Sequence, residues 1–200
     1  MLLLLGLLWM AQAAAPFWEA VPPKDWTDEQ VKQLFFSSPW ARREETTVET
    51  GDSSTKLPFK AVHFFLATAK PMQLAEQEMR NRDPNREDPL LEEYLDFLKD
   101  NPGRYIILAV FVAVPQYLTE KRTHEMEDKC FLRVGKRKYR MVGHFPPTQW
   151  DPYLRLVFPR DIQPDDQTLS FDLYLPGVPA PFRSVDFPIK SLIYNGQPEM

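Results

Sequence analysis

The chain has 200 residues, of which 44% are hydrophobic and 13% aromatic, so it can build a globular core and is not largely disordered. Its 24 basic and 28 acidic residues give a formal net charge of −4, which argues against non-specific nucleic-acid binding by the chain as a whole. The single cysteine, Cys130, cannot form an intrachain disulfide, so side-chain packing has to hold the fold together.

The first residues of the chain are typical of an export signal. Residues 2–10 form an uncharged apolar core, and residues 11–13 (Ala-Gln-Ala) supply the small-x-small pattern at which a signal peptidase cuts. We therefore predict a signal peptide at 1–13 and a single domain at 14–200, exported to the periplasm or the extracellular space. The alternative is a retained membrane anchor, but a spanning helix needs about 20 apolar residues and Pro16 interrupts the run.

The export signal lacks one usual feature, a basic residue before the apolar core. Only the α-amino group of Met1 carries positive charge there. A translation start upstream of Met1 would explain the missing charge, and mapping the N-terminus of the longer transcript would test it. If the leader is cleaved, the chain contacts the membrane only transiently, through the signal peptide.

The first helix of the mature chain has clear signals at both ends. Thr27 is a suitable N-cap, Gln30 completes a capping box, and Trp26 is placed to pack on the first turn. The predicted apolar face of this helix contains Val31, Leu34 and Phe35. Pro39 ends the helix, because the residue before a proline is disfavoured in the α region. A weak strand at 41–50 and a polar loop at 51–55 are predicted to follow.

Two helices and two buried strands are predicted between residues 59 and 114. The aromatic run at 59–68 predicts a strand, and Pro71 begins a helix. The apolar face of that helix is predicted to contain Met72, Ala75 and Met79.

Asp88 is a suitable N-cap for the next helix, with Pro89 at its first position. Its predicted apolar face contains Leu90, Leu91, Tyr94, Leu95 and Leu98. The uninterrupted apolar run at 105–114 predicts a strand buried on both faces at the sheet centre.

Short extended segments are predicted for the last third of the chain, because ten of the 20 prolines lie from Pro146 onward. A polar helix at 116–129 leads into a hairpin around Gly135 and Lys136. Further strands are predicted at 153–158, 168–175, 182–189 and 191–195. We therefore predict an α+β fold with a mainly antiparallel, sandwich-like β-sheet and two or three helices in the N-terminal half. Gly103 marks a candidate sub-boundary, although the central strand is expected to bind both halves into one domain.

Nucleophilic chemistry has candidate residues but no complete motif. Cys130 and His144 suggest a thiol enzyme, in which a histidine activates the cysteine. The predicted hairpin instead places Cys130 opposite a residue near Tyr139 or Arg140, several residues from His144. A half-buried structural cysteine is therefore the preferred interpretation, and we assign no catalytic residue.

Metal binding also lacks a full set of ligands. His124 and Asp128 are four residues apart and would share a helix face, which supplies two ligands, with zinc the first candidate metal. His63 lies in an apolar strand, where a hydrogen-bonded core histidine is the commoner explanation. We assign no metal-binding or cofactor-binding residue.

Carboxylates are abundant, and each dense group has a plain structural interpretation. Glu92 and Asp96 lie four residues apart on the polar side of a predicted helix, where solvation accounts for them. Asp165 and Asp166 follow Pro164 between two strands and are typical of a turn. A glycosidase would need a cleft that raises the pKa of one carboxyl group.

A basic hairpin stands out on this acidic chain. The cations around its turn are Arg133, Lys136, Arg137, Lys138 and Arg140. They are candidate contacts with an anionic lipid surface, a polysaccharide or an acidic partner. The alternative is a solvated hairpin whose charges discourage edge-to-edge association of strands.

Two ends of the chain resemble a known family. The segment around Trp26-Thr27-Asp28-Glu29 and Ser38-Pro39-Trp40-Ala41 resembles the opening of small, uncharacterised exported bacterial proteins, whose first mature helix ends in S-P-W-A. Residues 187–196 are similar to the family's closing strand and [MLI]-x-Y-x-G motif, and 158–160 match its F-P-R. The resemblance implies export and a β-rich C-terminal half, and no activity. The chain departs from the family at 61–75, where a tryptophan-containing strand followed by S-A is usual.

The S-P-W-A segment also has a physical interpretation. Pro39 fixes the direction in which the chain leaves the helix, and Trp40 can bury a large area against the next layer. We therefore predict that Trp26, Pro39 and Trp40 are structural anchors. A tryptophan that stacks on a ligand is the alternative.

The sequence leaves two classes of function. We expect a non-enzymatic interaction or structural module of the bacterial cell envelope, whose partner is an envelope protein or an anionic polymer rather than nucleic acid. The alternative is an envelope-acting hydrolase that uses carboxylate or histidine chemistry. A deep polar pocket with two of the histidines or a close carboxylate pair would favour the enzyme, and an exposed apolar groove or unpaired sheet edge would favour the module.

Overall fold

A computed structural model describes residues 15–45, 61–84, 87–111, 120–176 and 181–200. Its helices are α1 (Phe17–Ala20), α2 (Asp28–Ser37), α3 (Lys70–Arg82), α4 (Pro89–Asp100) and α5 (Glu120–Lys129). Its strands are β1 (Ala41–Glu44), β2 (Val62–Leu66), β3 (Tyr105–Phe111), β4 (Phe131–Val134), β5 (Arg137–Arg140), β6 (Gly143–Phe145), β7 (Tyr153–Pro159), β8 (Thr168–Tyr174), β9 (Phe182–Pro188), β10 (Ile193–Tyr194) and β11 (Gln197–Pro198). The predicted leader at 1–13 and the predicted loop at 51–55 lie outside the described residues.

The strands form two main antiparallel sheets. The first has the order β1-β2-β3-β7-β6 and the second the order β5-β4-β8-β9, while β10 and β11 form a separate ribbon. Phe158 of the first sheet meets Phe171 of the second with ring centroids 5.3 Å apart, and Phe171 in turn meets Phe187 at 5.9 Å. Aromatic side chains thus join the two sheets. The predicted α+β class with a sandwich-like antiparallel sheet is confirmed.

The central strand is β3, as its sequence predicts. It pairs with β2 on one side and β7 on the other, and residues 106–110 are completely buried. Because β1 and β2 precede residue 103 while β3, β6 and β7 follow it, one sheet combines strands from both parts of the chain. None of the helices in the described ranges is long and apolar enough to cross a membrane.

The helix caps form as predicted, but two helix faces differ from the prediction. Thr27 and Gln30 make the reciprocal capping box of α2, and Asp88 accepts a hydrogen bond from the Leu91 N–H to cap α4. Met79 of α3 is 43% exposed, and Leu90 of α4 is also exposed, so placing these two on buried faces was wrong. On α3 the buried positions include Glu76, because it pairs with the buried Arg155 of β7. On α4 Tyr94 is buried as predicted.

The basic hairpin forms with Gly135 at a positive φ of 58° in its turn. Val134 pairs with Arg137, and the Cys130 carbonyl accepts a hydrogen bond from the Met141 N–H, so Cys130 lies opposite Met141, one residue beyond the predicted range. The predicted strand at 191–195 is shorter than expected. A 3-10 turn at Ile189–Ser191 precedes it, and only Ile193–Tyr194 is extended.

Candidate functional site

An open groove of about 1010 Å³ lies where the C-terminal part of α3, the start of α4 and the segment leading into β7 meet. Its charged lining residues are Glu76, Arg80, Asp83, Asp88, Glu92, Asp151 and Arg155. Its larger apolar lining residues are Phe35, Met79, Leu91, Trp150 and Tyr153. The groove therefore combines an apolar wall with an excess of carboxylates.

The floor of the groove is a buried ion triad. Arg155 of β7 donates a hydrogen bond of 2.7 Å to Glu76 of α3 and also bonds to Asp151. The side chains of Arg155, Glu76 and Asp151 are only 3%, 7% and 10% exposed. The Arg155 guanidinium also lies 4.2 Å from the ring centroid of Tyr94, which packs beneath it. Since an unpaired buried charge is costly, each member of the triad holds the others in place.

Burial shifts the ionisation of these groups in opposite directions. It raises the pKa of the Glu76 carboxyl above its usual range, although the charge of Arg155 acts against that shift. Burial disfavours the charge on Arg155, but Glu76, Tyr94 and Asp151 together raise the pKa of Arg155 above its ordinary value. Burial, followed by the nearby carboxylates, raises the pKa of Tyr153 to about 12. Arg155 therefore stays charged, and its two terminal nitrogens bond to Glu76 and Asp151, while its Nε has no hydrogen-bond partner in the described part of the chain.

One wall of the groove is a turn locked onto the start of α4. The Thr148 hydroxyl donates a hydrogen bond to Asp88 and accepts the N–H groups of Trp150 at 3.2 Å and Asp151 at 2.9 Å. Asp88 in turn accepts the Leu91 N–H. This turn presents the Trp150 side chain, which is 50% exposed, at the edge of the groove. Trp150 is thus an exposed aromatic side chain on a fixed backbone.

Sequence reasoning missed the groove, although one signal pointed to it. Arg155 is the only cation in the otherwise apolar run of β7, and a charge in a buried strand needs a partner. The sequence does not identify that partner, because Glu76 lies 79 residues away in the chain. Glu92, which was assigned to a solvated helix face, is exposed and lines the groove, whereas Asp96 is exposed and does not line it.

The three arginines of the basic hairpin pair with carboxylates of neighbouring segments of the chain. Arg133 pairs with Asp172 at 2.7 Å, Arg140 pairs with Asp128 at 3.3 Å, and Arg137 bonds to Asp161 and Asp166. The Lys138 ammonium lies 3.7 Å from the ring centroid of Phe131, and Lys136 is exposed. Of these cations, Arg137, Lys138 and Arg140 lie on β5, which is an edge strand of the second sheet. Its charges are therefore placed where they discourage pairing with another strand.

Cys130 and His144 lie in different parts of the sandwich. The Cys130 thiol is completely buried and contacts the Tyr174 backbone, and burial raises its pKa to about 11. The predicted half-buried cysteine is therefore fully buried. His144 is in β6 of the first sheet, opposite Leu156, where burial lowers its pKa. The structure does not bring the thiol and the imidazole together.

The other histidines do not form a site with each other. His124 contacts Glu127 at 3.2 Å, while Asp128 pairs with Arg140. Across the described ranges, no group of three or more histidine, cysteine or carboxylate side chains could hold a metal ion. His63 packs edge-on against Phe36 at 4.8 Å, and its Nδ1 has no hydrogen-bond partner in the described part of the chain, so the prediction of a hydrogen-bonded histidine was wrong for that atom.

The remaining sequence candidates take structural positions. Asp166 accepts the Gln163 N–H at 2.6 Å, so the predicted turn at 165–166 is confirmed. Trp26 and Trp40 are buried, and their indole N–H groups donate to the carbonyls of Val21 and Glu199. Pro39 is half-buried after α2. These positions fit the predicted anchoring role.

Comparisons of the chain with protein-family models, curated proteins and solved structures found no match. The resemblance to exported bacterial proteins therefore stays a prediction from the sequence. The groove must be interpreted from its own geometry and charge.

Proposed function

We propose that this protein is an exported, non-enzymatic interaction module of the bacterial cell envelope and that the groove binds its partner. The observation that carries the proposal is an open groove whose edge exposes large apolar side chains, Met79 and Trp150. Exposed aromatic side chains on a fixed backbone are typical of protein-recognition sites, because they supply contact area at low entropic cost. The export and envelope parts of the proposal rest on the leader and on the family resemblance.

The charged floor supports binding over hydrolysis. A glycosidase needs one carboxyl group to donate a proton and a second, free carboxylate to attack or to activate water. Here Arg155 bonds to both Glu76 and Asp151. The triad therefore serves better as a rigid floor than as an acid–base pair. Among the described lining residues of the groove there is no histidine that would take over the base role.

Affinity capture of the exported protein from envelope extract, followed by mass spectrometry, tests the proposal. We expect a stoichiometric partner that the wild-type protein retains and that Trp150→Ala loses. Phe182→Ala is the matched control, because Phe182 is an exposed aromatic residue on β9 in the other sheet. Repeated failure to recover a partner, or equal recovery with the Trp150 variant, would overturn the proposal.

The hydrolase alternative has its own test. Isolated envelope glycan and peptide polymers incubated with the protein should show no new reducing ends or amino termini above background. Turnover that Glu76→Gln abolishes would instead assign catalysis to the floor of the groove.

A further inference from the structure

We propose, on the basis of this interaction function, that the groove binds an extended segment of its partner that carries lysine or arginine side chains. The partner is thus a protein with an exposed basic segment. Three features support this choice of occupant: the net charge of the groove lining, the chemistry of the groove walls, and the ion pairs that the arginines of the basic hairpin already make.

The first argument is charge complementarity. The described lining of the groove contains five carboxylates and two guanidinium groups, and one of those two, Arg155, is already bound between Glu76 and Asp151. Even with Glu76 protonated, carboxylates outnumber cations. Low-dielectric walls strengthen the resulting negative potential and favour a cationic occupant. Glu92 is exposed at the start of α4 and has no ion-pair partner in the described part of the chain, so it is available to a ligand cation.

The second argument is the chemistry of the walls. Lysine and arginine have an apolar stem and a cationic end, and they favour sites where the stem packs on apolar surface while the charge meets carboxylates. Met79 and Trp150 supply exposed apolar surface in the lining. Glu92 supplies an exposed carboxylate in the same lining. A basic side chain in the groove therefore has apolar surface for its stem and a carboxylate for its charge.

A second copy of this chain is a weaker choice of occupant. The most basic segment of the chain is the hairpin, but Arg133, Arg137 and Arg140 already pair with carboxylates of the same chain. Placing them in the groove of another copy would break those pairs. An anionic polymer or nucleic acid would meet like charge in the groove.

Fluorescence anisotropy with short labelled peptides tests the inference on the folded protein. The probe is an alternating lysine–alanine peptide, and the reference is the glutamate–alanine peptide of equal length. We expect the lysine peptide to bind and the glutamate peptide not to bind. Trp150→Ala should weaken binding of the lysine peptide by roughly fivefold, because it removes apolar surface on which a lysine stem packs. Added salt should also weaken binding of the lysine peptide to the wild-type protein.

Glu92→Gln and Glu93→Gln form a matched pair of variants. Both residues are exposed neighbours in α4 and lose the same charge, but only Glu92 lines the groove. We expect Glu92→Gln to weaken lysine-peptide binding by roughly threefold to fivefold, and Glu93→Gln to leave it unchanged. Equal effects of the two variants, or equal binding of the two peptides, would overturn the inference. The inference would also be overturned if the protein formed concentration-dependent dimers that Glu92→Gln dissociates and the lysine peptide failed to bind.

The peptide and capture experiments separate this inference from the proposed function. If capture depends on Trp150 while the lysine peptide does not bind and Glu92→Gln has no effect, the interaction function stands and the basic occupant is wrong. If the lysine peptide binds in a Glu92-dependent way but no envelope partner is captured, the charge preference stands and the envelope function is wrong.

Discussion

The groove floor and the basic hairpin both join arginines to carboxylates, but they differ in burial. The side chains of Arg155 and Glu76 are 3% and 7% exposed, whereas those of Arg140 and Asp128 are 69% and 73% exposed. Water and salt screen the second pair and hardly reach the first. The same side-chain pairing is therefore a structural requirement in one region and a minor surface contact in the other.

The largest expected effect comes from breaking the buried triad. Arg155→Met should lower the free energy of unfolding by about 3–5 kcal/mol, because it leaves the Glu76 and Asp151 carboxylates buried without a cation. Arg140→Met is the matched control and should cost at most about 1 kcal/mol. Urea denaturation followed by circular dichroism measures both. Adding Glu76→Gln and Asp151→Asn to Arg155→Met should recover part of the loss, and equal losses for the two arginine variants would contradict the comparison.

Two tryptophan variants extend the comparison of buried and exposed side chains from ion pairs to apolar groups. Trp40 is completely buried and Trp150 is half-exposed. Trp40→Ala should lower the free energy of unfolding by about 3–5 kcal/mol, since it leaves a cavity and frees the carbonyl that the indole N–H binds. Trp150→Ala should lower the free energy of unfolding by about 1 kcal/mol or less, although it weakens partner binding. A near-zero loss for Trp40→Ala together with lost ligand binding would make Trp40 a ligand-stacking residue instead of an anchor.

Cys130 shows how burial controls a single titratable group. Because the folded state raises the pKa of the Cys130 thiol from 9.0 to about 11, folding favours the protonated thiol. That contribution to stability is complete below pH 9.0 and is lost as the pH rises through about 11. At pH near 8, the folded protein should therefore react with a thiol reagent at least about tenfold more slowly than the urea-unfolded protein. A fast reaction in the folded state would show that the thiol is accessible.

The smallest effect is expected at the hairpin surface. Reversing the charges of Lys136, Arg137 and Lys138 should change adsorption to anionic vesicles and glycans little, because Arg137 is already neutralised by Asp161 and Asp166. Vesicle co-sedimentation at low and physiological salt measures this. A large loss of adsorption on charge reversal would instead support the hypothesis that the hairpin contacts anionic surfaces.

Much of the local structure was predictable from the sequence. The capping box of Thr27 and Gln30 and the N-cap Asp88 are set by side chains within one helical turn. The apolar run that forms β3 identified the central strand, and Gly135 identified the hairpin turn. The His63 prediction failed because a hydrogen bond depends on the neighbours that tertiary packing supplies, and Phe36 occupies one side of the ring.

Caps, turns and hydrophobic periodicity act over a few residues, so the sequence alone predicts the α+β class, the helices α2, α3 and α4 and the longer strands, but not the short elements α1, β6 and β11. On α3 the predicted buried positions Met72 and Ala75 are confirmed, whereas the burial of Glu76 and the exposure of Met79 depend on tertiary packing. The packing of α3 near β7 brings Glu76 to Arg155, 79 residues away in the chain, and forms the groove beside them. A buried charge pairs with an opposite charge that lies close to it in space, and local sequence patterns do not encode that proximity.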